Sequence, residues 1–271
     1  MIILIGSQKG GCGKSTIAIN IAAYLAKHNK DIVLVDADPQ QSSANWVKDR
    51  DETSLPKVHC VQRYGDIKNT LKDLDGRYDY VIVDVAGHDS KELRTAMLTA
   101  HYLVVPFRPS QFDFDTLPHL SEVIDQAKSF NEELKPFGLL TLAPTNPSVS
   151  EVQQANDYLA DFPLFTALSS VIHDRKVYRD VTAEGKGVVE SNNPKAVERE
   201  IAKPSSPDME AFINGANEET AQKLDPKAPR KFKTHTIPMN EYEYQLLVDL
   251  AEKYGQTHNG IIRFALKKLS E

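Results

Sequence analysis

The residues best suited to chemistry lie near the start of the chain, in Lys9-Gly10-Gly11-Cys12-Gly13-Lys14-Ser15-Thr16. Glycines there let backbone N–H groups point inward at phosphate oxygens, and a helix starting at the loop's end adds partial positive charge. Lys14 would reach the β- and γ-phosphates of a nucleotide, and Ser15 would place its hydroxyl on a magnesium ion. The strict P-loop pattern asks for glycine where this chain has Gln8, and it fails there. An additional lysine, Lys9, stands at the loop's entry, and Cys12 reads as a small residue within it. Two carboxylate segments accompany the loop. Asp36-Ala37-Asp38-Pro39-Gln40 follows a second apolar run, and Asp84 ends the run Val81-Ile82-Val83. Phosphoryl transfer is mostly positioning plus charge neutralisation, so carboxylates gather around the metal and lysines around the phosphates.

The loop with its entry lysine resembles the deviant P-loop of the ParA/MinD family of ATPases, with a resemblance covering about Met1 to Ala202. The resemblance implies ATP and Mg2+ as cofactors and an ATP-dependent homodimer in which Lys9 acts in trans on the partner's nucleotide. It implies a catalytic set of Lys9, Lys14, Asp38 and Asp84, with Asp38 helping to position the attacking water. Ser15, Asp38 and Asp84 would serve the metal, Asp84 as the Walker B acid acting through water. Lys9 to Thr16 would bind the nucleotide. Pro106-Phe107-Arg108-Pro109-Ser110 resembles the family's proline-containing segment, which places Pro109 near the nucleotide. Thr145 and Asn146 fall where the family often holds the base, although a turn before a helix at Val149 is an equal reading. The chain looks like the short plasmid-partition branch. Such ATPases have weak intrinsic activity, bind DNA without regard to sequence and are stimulated by a ParB-like centromere-binding partner. Arg175, Lys176 and Arg179 are candidates for DNA contact, with solvated surface charge an equal reading. The nitrogenase reductase relatives need cysteines for an iron–sulfur cluster, and two, Cys12 and Cys60, exclude that reading.

The elements that must position these residues follow from hydrophobic period. Ile2 to Ile5, Asp31 to Asp36, Tyr80 to Asp84, Tyr102 to Pro106 and Phe137 to Leu142 read as buried strands. Helical patterns cover Lys14 to about His28, Ser90 to Ala100, Leu117 to Phe130 and Val149 to Ala160. Continuous apolar strands alternating with helices predict a doubly wound, mostly parallel α/β sheet covered on both faces. In such sheets ligands bind at the carboxyl ends of the strands, where every motif above falls.

Prolines and serines change the texture near Lys203, so the expected organisation is an ATPase body over 1–202, a linker over 203–230 and a small domain over 231–271. In the last segment Phe232 to Met239 alternates like a strand. A helical pattern, Glu241 to Tyr254, ends at Gly255. Thr257 then caps a helix from Asn259 to Leu269. This texture is that of a ribbon-helix-helix domain. Thr234 and Thr236 would face DNA bases, with Lys231, Lys233 and the helix start at Thr257 on phosphates. Pro238 falls at a third outward position and weakens base readout. A hairpin used only for dimerisation and an amphipathic membrane helix over Ile261 to Leu269 are the alternatives; the second lacks length and aromatic content.

Composition limits the rest. The net charge of −6 over 271 residues argues against coating by nucleic acid over the whole surface. The stretch from Lys227 onward nevertheless carries eight Lys or Arg against five acids. Two cysteines are too few for a disulfide framework, and a reducing cytoplasm is the natural setting. No apolar run is long enough to cross a bilayer. The expected function is a nucleoid-associated partition ATPase that segregates or positions DNA or another cargo. An ATP-switched transcriptional regulator is the rival.

Overall fold

The computed structural model describes residues 1–146 and 151–192, all within one compact unit spanning Met1–Asn217. The expected linker and ribbon-helix-helix segment lie outside the described residues.

The body is one sheet of seven strands flanked by helices. In chain order it runs β1 (Ile2–Ile5), α1 (Lys14–Lys27), β2 (Ile32–Ala37), α2 (Ser42–Asp51), β3 (His59–Gln62), α3 (Lys68–Asp75) and β4 (Tyr80–Val85). It continues with α4 (Lys91–Met97), β5 (Tyr102–Phe107), α5 (Gln111–Phe114), α6 (Leu117–Lys128), β6 (Lys135–Ala143), α7 (Glu151–Leu159), β7 (Thr166–His173) and α8 (Lys176–Thr182). A 3-10 turn, Val188–Glu190, closes the described part. The spatial order is β3-β2-β4-β1-β5-β6-β7, and every pairing is parallel.

Strand composition explains this arrangement. All of β1, β2, β4 and β5 is buried. Their side chains alternate between two cores. Ile2 and Leu4 join Val33, Val35, Val81 and Val83 on one face, against α3, α4, α6 and α7. Ile3 and Ile5 join Leu34 and Ile82 on the other, against Ile17 and Ala22 of α1 and Trp46 of α2. A strand buried on both faces must be apolar throughout, which is why these four are legible as runs.

The two further strands lie at the sheet's edges. β3, His-Cys-Val-Gln, is half exposed and polar at both ends, as suits an edge. β7 carries Thr166, Ser170 and His173 among its apolar residues. Neither makes a continuous apolar run, so period alone does not mark them. The helix expected over Ser90 to Ala100 is shorter: Ser90 is its cap, its Oγ accepting from the Leu93 N–H at 3.1 Å.

Chain order reverses at β1, which has β4 on one side and β5 on the other. The crevice at its carboxyl end is the topological switch point of a doubly wound sheet. The loop 6–13 leaves β1 there, and the ends of β2, β4 and β5 surround it.

Candidate nucleotide site

The glycine loop is a compact turn between β1 and α1. Gly11 (φ 73°) and Gly13 (φ 91°) adopt left-handed backbone that favours glycine. Lys14 is buried, and its Nζ donates to the Lys9 carbonyl at 3.0 Å and lies 3.4 Å from Ser7 Oγ. Ser7 Oγ also donates to the Lys9 carbonyl at 3.0 Å and touches Cys12 Sγ at 3.0 Å. The lysine ammonium is thus folded into the concave side of the loop. Lys9 is placed otherwise: its Nζ lies over the ring of Phe112 of α5, 5.5 Å from the centroid.

The carboxylates converge on the same end of the sheet. Parallel register sets Asp36 beside Asp84. Asp84 is fully buried, and one oxygen, Oδ2, accepts from Ser43 Oγ at 2.7 Å. The other, Oδ1, is buried with no hydrogen-bond partner. Burial pushes its carboxyl up to about 6, partly offset by the hydroxyls of Ser43 and Ser15 and by the Lys14 charge. A buried, half-satisfied carboxylate near a serine hydroxyl and facing a phosphate cradle is a hard-oxygen site suited to a hydrated magnesium ion. The donor set fits that ion.

Asp38 is only partly buried, and its Oδ1 accepts from the Gln40 N–H at 2.9 Å. Asp36, which composition alone does not separate from Asp38, is fully buried and structural in its bonding. Its two oxygens accept from the N–H groups of Ala44 (2.7 Å) and Asp38 (3.1 Å). Burial raises its pKa, and the Asp38 charge adds to that.

Lys9 to Thr16 thus form the loop and the first turn of α1, with Asp84 close by and Asp38 on the turn leaving β2. Pro109 is in the turn after β5, and its neighbour Arg108 donates to the Gly11 carbonyl, which brings that turn to the loop. Thr145 and Asn146 are exposed beyond the end of β6. Arg179 pairs with Asp174 at 2.7 Å and Lys176 with Asp180 at 2.5 Å, so both cations already have local partners. Lys231, Lys233, Thr234, Thr236 and Thr257 lie outside the described residues.

Sequence reasoning missed Ser43, Gly87 and Thr141. A Cβ on Gly87 would come within 2.7 Å of Gly10 Cα, Lys14 Nζ and the Lys9 carbonyl oxygen. The backbone after β4 therefore abuts the loop as only glycine allows. A glycine three residues past a strand-end aspartate was the available signal. Nothing in the sequence marks Ser43 or Thr141.

Comparison with known proteins agrees with this geometry. The family model for the CobQ/CobB/MinD/ParA nucleotide binding domain matches residues 3–259. The chain belongs to that family. The fold is the parallel α/β sheet of the P-loop ParA/MinD type, and the family model describes a nucleotide binding domain. The chain is 28% identical over 188 residues to maintenance of carboxysome distribution protein A from Halothiobacillus neapolitanus, covering 69% of this chain and 85% of that protein. It is 26% identical to the chromosome-partitioning ATPase Soj of Thermus thermophilus, covering 51% of this chain and 67% of that one. A plasmid partition protein of Borrelia burgdorferi bound to AMPPNP superposes with a TM-score of 0.60 at 20% identity, covering 79% of this chain and 98% of that one. At that identity the likeness shows the fold alone.

Proposed function

We propose that this member of the family is a partition or positioning ATPase that closes as a homodimer over two ATP molecules and works on DNA. The observation that supports it most is the contrast between the two loop lysines. The Lys14 ammonium turns back onto the loop's own Lys9 carbonyl, whereas that of Lys9 lies over the exposed ring of Phe112, outside the loop. An outward lysine suits a nucleotide held by a second copy of the chain.

In this reading Lys14 and the loop N–H groups bind the phosphates, and Lys9 of the facing subunit neutralises charge on the transferred group. Ser15, Asp38 and Asp84 would hold a magnesium ion, which would supply charge neutralisation at the phosphates. Asp38 orients the attacking water. Pro109 and Asn146 border the nucleotide. Intrinsic hydrolysis is weak, as suits a switch, and a ParB-like partner stimulates it. The protein acts in the cytoplasm on the nucleoid. The tail over 231–271 adds a ribbon-helix-helix contact through Lys231, Lys233, Thr234, Thr236 and Thr257. The names of the relatives allow a protein assembly or a DNA element as cargo.

The test is binding to random-sequence duplex DNA. The full chain should bind with a non-hydrolysable ATP analogue and release with ADP, and a chain ending near Lys203 should keep that dependence. If the shortened chain shows no nucleotide-dependent binding while the full chain binds, the body is only a switch and the protein is an operator-binding regulator.

A further inference from the structure

Two carbonyl groups of the phosphate loop are held from outside the loop. Arg108, on the turn after β5, donates to the Gly11 carbonyl. Thr141, within β6, donates to the next one: its Oγ1 is 2.8 Å from the Cys12 carbonyl oxygen and 3.2 Å from that of Phe107. Thr141 is buried, so neither contact competes with water. A threonine hydroxyl has a single proton, and the shorter contact is the better geometry for it.

The consequence follows from the peptide plane. In a trans peptide the carbonyl and the following N–H point in opposite directions. Anchoring the Cys12 carbonyl on Thr141 therefore aims the Gly13 N–H away from that threonine. The two residues of this peptide differ: Cys12 is buried, with its Sγ against Ser7 Oγ and the Lys9 carbonyl, whereas Gly13 is in open space. Gly13 has left-handed backbone, and a Cβ there would meet nothing within 4 Å. Glycine on one side of a peptide makes its reorientation inexpensive. A second feature fixes Thr141 itself. Directly after it Leu142 takes φ 50°, and the β6–β7 register shifts between Leu140 and Ala143. The backbone irregularity of β6 thus lies directly beside the threonine whose hydroxyl meets the loop.

We infer that Thr141 is a positioning residue for nucleotide phosphates, acting through the Cys12–Gly13 peptide and not by touching the nucleotide. Its hydroxyl sets one donor of the phosphate cradle before the ligand arrives. The inference rests on the loop being the nucleotide site, which ATP binding by the unaltered chain checks separately.

The experiment is calorimetric titration of the full chain with Mg-ATP and with Mg-ADP, for the unaltered protein, Thr141→Val and Thr141→Ser. Backbone N–H groups of such loops serve the α- and β-phosphates, so both nucleotides should respond. The valine variant should bind each about tenfold more weakly, the size of one oriented hydrogen bond, and serine should restore affinity to within about twofold. Urea unfolding without nucleotide separates positioning from simple destabilisation, with titrations run where each variant is fully folded. Valine binding both nucleotides as tightly as the unaltered chain would overturn the inference. So would a serine variant as weak as valine, because the hydroxyl would then not be what matters. If the unaltered chain itself binds neither nucleotide, the nucleotide reading of the loop falls, and this inference with it.

Discussion

Lys9 and Lys14 stand five positions apart in one loop, and their surroundings differ. Lys14 is enclosed by Ser7, Cys12 and the Lys9 carbonyl, whereas Lys9 rests on the half-helical turn that carries Phe112. A Lys9→Ala variant should therefore keep nucleotide binding by the monomer and lose ATP-dependent dimerisation, read by light scattering with and without ATP. A dimer that persists with ATP would remove the trans role. Asp84 gives a pH test. Burial raises its carboxyl from the usual 3.8 to about 6, so the folded chain binds a proton there that the unfolded chain has already released. Its contribution to stability is most favourable below about pH 4 and is lost as pH rises through about 6. Two pH units correspond to about 3 kcal/mol at most. In metal-free urea unfolding, Asp84→Asn should gain stability relative to the unaltered chain between pH 4 and pH 6, and the gap should stay level above that. A gap that does not change across that window would mean the carboxylate is better solvated than its burial implies.

Elements, not single residues, bring the two acid-bearing strands to the loop. The turn after β4 lies against the loop because Gly87 has no side chain. Gly87→Ala should push the Lys9–Gly10 backbone and the Lys14 ammonium aside and weaken ATP binding by at least tenfold, with a smaller effect on unfolding in urea. Equal ATP affinity would show that the loop moves aside freely. On the opposite flank, α2 is tied to the last described turn. Arg50 is fully buried, pairs with Glu190 through two bonds of 2.8 and 2.7 Å, and also donates to the Gly185 and Pro56 carbonyls. The Val188 N–H donates to Asn20 on α1 at 2.8 Å, so the same turn bridges both helices that follow the phosphate-site strands. Glu190→Ala leaves a buried cation without its partner and should cost about 3–5 kcal/mol in urea unfolding. Replacing both partners with apolar residues should recover much of that loss; failure to recover would place the cost in packing and not in charge.

For the whole molecule, the seven-stranded body accounts for nucleotide chemistry, and among the described residues no helix is long and apolar enough to cross a membrane. The proposed action on DNA concerns the molecule as a whole, because the sequence from Lys227 onward carries a basic excess while the full chain is net acidic. If the ribbon meets phosphate, Lys233→Ala in the full chain should weaken binding across all DNA sequences and lower the slope of log affinity against log salt by about one unit. An unchanged slope in filter binding at several salt concentrations would remove the ribbon from the phosphate contact.

The sequence by itself determined the central strands, the loop between β1 and α1, and the acids at the ends of β2 and β4. A strand buried on both faces must be apolar without interruption, and a phosphate cradle must be glycine-rich at a strand-to-helix turn; both requirements are local and leave a local record. Tertiary structure alone decided which of Asp36 and Asp38 is enclosed, that Ser43 completes half of Asp84, that Gly87 touches the loop, and that Thr141 holds a carbonyl from 129 positions away. These are contacts between elements distant in the chain. Their residues are ordinary in their own neighbourhoods, so only the packing of the strands at the switch point gives them a role.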